Sequence, residues 1–152
     1  MKPAGLIAYE GIKNELPGLT YQTLLVIDAR VYTTQDEAHE IVSTWRPKTA
    51  YSSVRSRFWD LEVMGLIMAD GVRRIKLGNG KERVVTRYRT TPTGEAVAGL
   101  APLKAEDILT DACKVITKGK ESRVAATRII SDKYNEMMRG RARAKIHYGL
   151  KS

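Results

Sequence analysis

A single cysteine, Cys113, in a chain of 152 residues leaves no disulfide framework and no cysteine-based zinc site. Histidine is almost as scarce: His39 and His147 stand far apart with no ligand spacing around either, so no metal is expected. Acidic side chains are outnumbered, 17 against 26 Lys and Arg, for a formal net charge of +9. No apolar run approaches the ~20 residues of a membrane helix. Gly5-Leu6-Ile7-Ala8 after Lys2 is too brief for a secretion signal. Gly78-Asn79-Gly80-Lys81 lacks the spacing of a phosphate loop. No Ser-His-Asp arrangement can be placed, and acid pairs such as Asp36-Glu37 suit helix starts. These absences point away from an enzyme, a cofactor and a membrane, and toward a cytoplasmic protein.

The positive charge is unevenly placed. Residues 1–45 carry 3 basic and 6 acidic side chains, residues 46–89 carry 11 and 4, and residues 90–152 carry 12 and 7. A field of this sign draws in polyanions, and its onset marks where a footprint would begin. That onset falls at Lys48–Ile67. Within it Val54, Phe58, Leu61 and Gly65 recur at helical spacing on one side. Thr49 is the expected N-cap, and Gly65 with Leu66 and Ile67 the expected stop. The opposite side holds Thr49, Ser52, Ser56 and Trp59, flanked by Lys48, Ser53 and Arg55. Short hydroxyls and a guanidinium are side chains that reach phosphates and base edges. The same pattern also fits the solvated face of a core helix.

Val72–Leu77 and Glu82–Arg89 read as two strands joined at Gly78-Asn79-Gly80. A turn centred on Asn79-Gly80 sets Ile75 opposite Val84 inward and Lys76 opposite Arg83 outward. Arg74, Lys76, Arg83, Arg87 and Arg89 then crowd one side, a repulsion that a bound polyanion would relieve. Arg73 and Lys81 extend this cationic set. The competing reading is a solubilising sheet edge. Upstream, Leu19–Arg30 holds the apolar run of a buried first helix. Thr33-Thr34-Gln35-Asp36-Glu37 caps a second, whose inner face is Ala38, Ile41 and Val42 and whose outer face takes His39. Arg46-Pro47 breaks it.

Thr33–Val42, Lys48–Ile67 and Tyr88-Arg89-Thr90-Thr91-Pro92-Thr93-Gly94-Glu95-Ala96 together resemble winged helix-turn-helix DNA-binding proteins of the MarR-like kind and small phage-type regulators. The resemblance covers roughly residues 19–100. It implies a mainly α fold with a small β-hairpin wing, in which Lys48–Ile67 supplies the helix that reads the major groove. The wing would touch the minor groove or the backbone, and a further helix would open near Pro92. Fold alone does not settle function, because such domains also serve protein–protein contact.

Beyond Pro102 two more helices are expected, Ala105–Thr117 ended by Gly119 and Glu121 to about Arg139. Their stripes are Leu109, Ala112, Val115 and Ile116, then Ala126, Ile130, Tyr134 and Met137. Cys113 reads as a small buried hydrophobe here. Terminal helices of this kind commonly dimerise the resembled regulators, so a homodimer through them is expected, with docking on the chain's own domain the alternative. Arg139–Lys145 reads either as a solvated terminus or as an arm along phosphates. The expected organisation is an N-terminal segment 1–17, a winged-helix DNA-binding domain 18–101 and a basic helical extension 102–152. The expected function is sequence-specific binding of double-stranded DNA by a small transcriptional regulator. The alternatives are a protein-interaction module that inhibits a host DNA-handling machine, and a DNA-packaging or replication-initiation factor.

Overall fold

The computed structural model describes residues 18–116 and 122–147, with the side chains of the last helix as far as Arg139. Residues 1–17, the expected stop at Gly119 and the side chains of the basic run after Arg139 lie outside the described residues. Among those described, the chain is mainly helical, with six helices and one small two-stranded antiparallel sheet.

Helix α1 (Leu19–Ala29) is buried at every position from Thr20 to Ile27, as an apolar run without a polar face must be. Its polar groups find partners: the Thr23 hydroxyl donates to the Leu19 carbonyl at 2.8 Å, and Arg46 Nε donates to Gln22 Oε1 at 2.7 Å. The chain then bends through residues 30–32 to Thr33, which exchanges two backbone hydrogen bonds with Tyr88 at 3.0 and 2.7 Å. This isolated bridge adds a rung to the sheet that the sequence reading did not anticipate.

Helix α2 (Gln35–Trp45) starts as expected. The Thr34 hydroxyl accepts from the Glu37 N–H, and the Glu37 carboxylate accepts from the Thr34 N–H, a reciprocal capping box. Ala38 and Val42 are buried, and Arg46 ends the helix.

Helix α3 (Tyr51–Val63) buries Val54, Phe58 and Leu61 at 0 to 1 % exposure, which bears out the apolar spacing. Its end is a Schellman turn. The Leu66 N–H donates to the Leu61 carbonyl at 2.9 Å, the Gly65 N–H donates to Glu62, and Gly65 takes φ 75°. Its beginning differs from expectation. The N-cap is Ala50, with no side-chain cap, and Thr49 instead offers its carbonyl to His39 Nε2 at 2.8 Å. His39 is therefore half-buried between helices, edge-on to Tyr51, and does not stand on an outer face.

Strands β1 (Ile67–Lys76) and β2 (Glu82–Thr90) pair antiparallel. Helix α4 (Pro92–Ala98) opens at Pro92 with Thr91 as N-cap. The Thr91 hydroxyl also donates to the Gly65 carbonyl at 2.6 Å, and a Cβ on Gly94 would stand 1.9 Å from the Leu66 carbonyl oxygen. Only glycine lets α4 approach the turn between α3 and β1 this closely.

Helices α5 (Pro102–Ile116) and α6 (Ser122–His147) run back to back, with Lys133 bonded to Asp107 and Asp111. Their stripes do not wait for a second chain. Ile108, Leu109, Ala112 and Ile116, with Ala126 and Ile130, join Val54, Phe58 and Leu24 in one continuous core, and Tyr134 and Met137 pack half-buried against it. The expected division at 101/102 coincides with no break in that core. Each fully buried aliphatic or aromatic side chain contributes about 1.5–3 kcal/mol.

Candidate nucleic-acid interface

The hairpin is built on a three-residue loop. The Gly80 N–H donates to the Leu77 carbonyl at 3.0 Å, the Leu77 N–H donates to Lys81 at 2.8 Å, and Gly80 takes φ 81°. This displaces the expected register by one residue. Ile75 faces Arg83, Lys76 faces Glu82 and Arg74 faces Val84. The expected opposition of Lys76 to Arg83 is absent, and the argument from like-charge repulsion goes with it. The grouping of cations changes too. Arg74 and Lys76 share one face with Val72 and Val84, whereas Arg73, Arg83, Arg87 and Arg89 belong to the other. The first face turns toward α3, because Tyr88 lies on it and its ring meets Phe58 edge-on at 5.0 Å.

Most of the hairpin's arginines already have partners. Glu37 binds Arg73 and Arg30 through one carboxylate oxygen. Burial pushes the Glu37 carboxyl up, but bonds from Thr34 and Arg73 outweigh that and hold it below its ordinary value. Asp70 pairs with Arg89 at 2.9 Å. Asp70 and Gly71 form a bulge opposite Arg87, whose Nε donates to the Asp70 carbonyl at 2.9 Å while its guanidinium stacks 3.7 Å from the centre of the Tyr32 ring. Arg83 and Arg74 are held loosely, 3.7 Å from Asp36 and 3.8 Å from Glu82. Lys76 and Lys81, at the tip, are exposed and have no ion pair among the described residues. Asp36, Glu37, Asp70 and Glu82 thus neutralise much of the charge that the sequence displays. They are scattered over 47 positions of chain, and no local signal marks them as partners of these arginines.

The outward side of α3 is different. Ser52, Ser53, Arg55, Ser56 and Trp59 are exposed, Trp59 at 56 %, and Lys48 is exposed just before the helix. Thr49, with its half-buried position, stands apart from them. The Ser56 hydroxyl donates to the Ser52 carbonyl at 3.0 Å, leaving its lone pairs free to accept. Toward the hairpin, α3 borders a groove of about 420 Å³ lined by Tyr51 and Arg55, by Gln35 and Asp36 of α2, and by residues 83–86 and Tyr88 of β2. Gln35 ties its floor together by accepting from the Tyr51 hydroxyl at 3.2 Å and bonding Tyr88. Burial, then Glu62 and Tyr51, push the Tyr88 phenol up, against the opposing pull of Arg55 and Gln35. Gln35, Tyr51 and Tyr88 carry no local sequence mark of this role, since three elements must fold before they meet.

On the other flank, Asp60 is buried beside Arg57, at 3.1 Å, and burial pushes its carboxyl up despite that guanidinium. Cys113 lies half-buried nearby, and burial and Asp60 push its thiol up, so it is not set up as a reactive thiolate. No helix among the described residues is long and apolar enough to cross a membrane. No protein-family model and no curated protein matches the chain.

Proposed function

We propose that the chain is a winged-helix protein that binds double-stranded DNA with sequence preference, as a small transcriptional regulator working in the cytoplasm. Helix α3 enters the major groove and the hairpin is the wing. The observation that carries this reading is the outward stripe Ser52, Ser56 and Trp59, bounded by Ser53 and Arg55, together with the exposed hairpin-tip lysines, which have no ion pair among the described residues. The order helix, single bridged residue, helix, helix, hairpin supports it. A homodimer is part of the same proposal. It would run through the C-terminal helices, of which α6, at 26 residues, is the longer.

Binding-site selection from random duplexes tests the reading in one experiment. A selected motif is the expected result, and random recovery argues against sequence preference. If about five phosphates are neutralised, log K falls with log salt at a slope near −4.5. One observation favours a second reading, a protein-interaction module: the paired arginines leave Val72 and Val84, each 56 % exposed, on the face turned toward α3. A flat salt response with no binding at low salt would support that reading instead.

A further inference from the structure

The groove between α3 and β2 gathers cations from two elements that are far apart in sequence. Arg55 of the helix and Arg83 of the strand both border it, Arg83 reaching it from the hairpin face opposite Tyr88, with Thr86, Tyr51 and Tyr88 among the other lining residues. Arg55 has no ion pair among the described residues. Arg83 stands 3.7 Å from Asp36, beyond hydrogen-bond reach, and both groups are about half exposed, so its donors remain available. Arg55 shares its flank of α3 with Tyr51 one turn earlier, whereas Ser52, Ser56 and Trp59 form the neighbouring stripe that points outward. A side chain turned toward the hairpin is poorly aimed at a base edge. A groove whose lining holds an arginine from each of two elements, with a threonine and two tyrosines, suits a tetrahedral oxyanion, which accepts bonds from several directions.

We infer that this groove seats a phosphate between Arg55 and Arg83, so that Arg55 anchors a phosphate group and does not read sequence. The inference rests on the DNA reading if the phosphate is a backbone diester, and it survives without that reading if the phosphate is free. Asp36 is the one lining residue of opposing charge, and its removal should strengthen the seat.

Methylphosphonate scanning of a bound duplex tests it. At one linkage, neutralising the phosphate should weaken the wild type about tenfold, yet have no further effect on Arg55→Ala or Arg83→Ala. Arg55→Ala should weaken all duplexes alike and shallow the salt slope by about one unit, with the selected motif unchanged. Asp36→Asn should tighten binding severalfold. A separate arm titrates inorganic phosphate into the protein alone, followed by NMR. Binding that Arg55→Ala abolishes, in a protein that binds no duplex at low salt, assigns the seat to free phosphate and ends the DNA reading. An altered motif in Arg55→Ala overturns the inference. So does the absence of both a linkage silent in the variants and any Arg55-dependent phosphate binding. Thermal denaturation of each variant separates these effects from loss of fold.

Discussion

The hairpin and the α5–α6 pair both extend from the same body of helices α1 to α4, and they are held there by different forces. Helices α5 and α6 share the body's core through Ile108, Leu109, Ala112 and Ile130, so burial fixes them. Beyond Tyr88, the hairpin is tied to the body mainly by charge: Arg73 to Glu37, Arg83 more loosely to Asp36, and the Arg87 guanidinium to the Tyr32 ring. Apolar burial is indifferent to pH and salt, whereas half-exposed ion pairs are sensitive to both. One attachment is part of what makes the chain fold. The other sets where the hairpin points.

The strongest way to break this contrast is to remove α5 and α6 by truncation after Ala101. If the helices were an add-on, a folded body would survive. Instead, losing the α5 and α6 side chains of the shared core should abolish cooperative unfolding, because the loss is comparable to the ~5–15 kcal/mol by which a domain is stable. A sharp thermal transition in the truncated chain would show the core to be divisible. Within the intact chain, Ile130→Ala at 1 % exposure should cost about 2–5 kcal/mol in urea denaturation. A cost below ~1 kcal/mol would mean that α6 is docked loosely.

On the hairpin side the largest effect belongs to Glu37, which joins Arg30, Thr34 and Arg73. Its carboxyl is held below the ordinary value of 4.5, so its stabilising contribution is complete above that value and lost as pH falls through the folded one. Asp28 and Asp60 have the opposite sign. Burial raises both, with Glu95 adding to the first, so the stability their protonated forms confer is lost as pH rises through the raised values. Glu37→Gln should therefore cost on the order of 1 kcal/mol at pH 7, and progressively less as pH falls below 4.5 through the lowered folded value. The difference between wild type and variant across that range isolates Glu37. A difference independent of pH would mean that the side chain matters for packing and not for charge.

Sequence reading carried the helical body well because its signals are local. The spacing of Val54, Phe58 and Leu61 and the Thr34 and Glu37 cap each lie within a turn or two of chain, whereas the helix start at Pro92 follows from the resemblance alone. The hairpin register was not legible. Gly78-Asn79-Gly80 accommodates a loop of two residues or of three, and a shift of one exchanges every cross-strand pair. The burial of the α5 and α6 stripes in their own chain's core was equally hidden, since a stripe records the need for burial and not its partner. The Thr33 bridge and the Arg87–Tyr32 stack depend on contacts across more than fifty residues of chain, beyond the reach of any periodicity. For the candidate site, sequence identified the exposed face of α3 but credited the hairpin with more free charge than it has.

The hairpin's own cations divide into those with internal partners and those without, and the smallest expected effects lie between them. Lys76 and Lys81 are exposed and have no ion pair, so under the proposed function each neutralises a phosphate. Lys81→Ala should leave the melting temperature unchanged while shallowing the salt slope of DNA binding by about 0.9. Arg87→Ala should do the reverse. It removes the Tyr32 stack and the bond to the Asp70 carbonyl, lowering stability by about 1 kcal/mol with the salt slope unaltered. Measuring both quantities for both variants makes the test symmetrical. If Arg87→Ala shallows the slope as much as Lys81→Ala does, the arginine leaves its internal partners on binding. The hairpin's charge would then be available after all, and its ion pairs would describe only the unbound state.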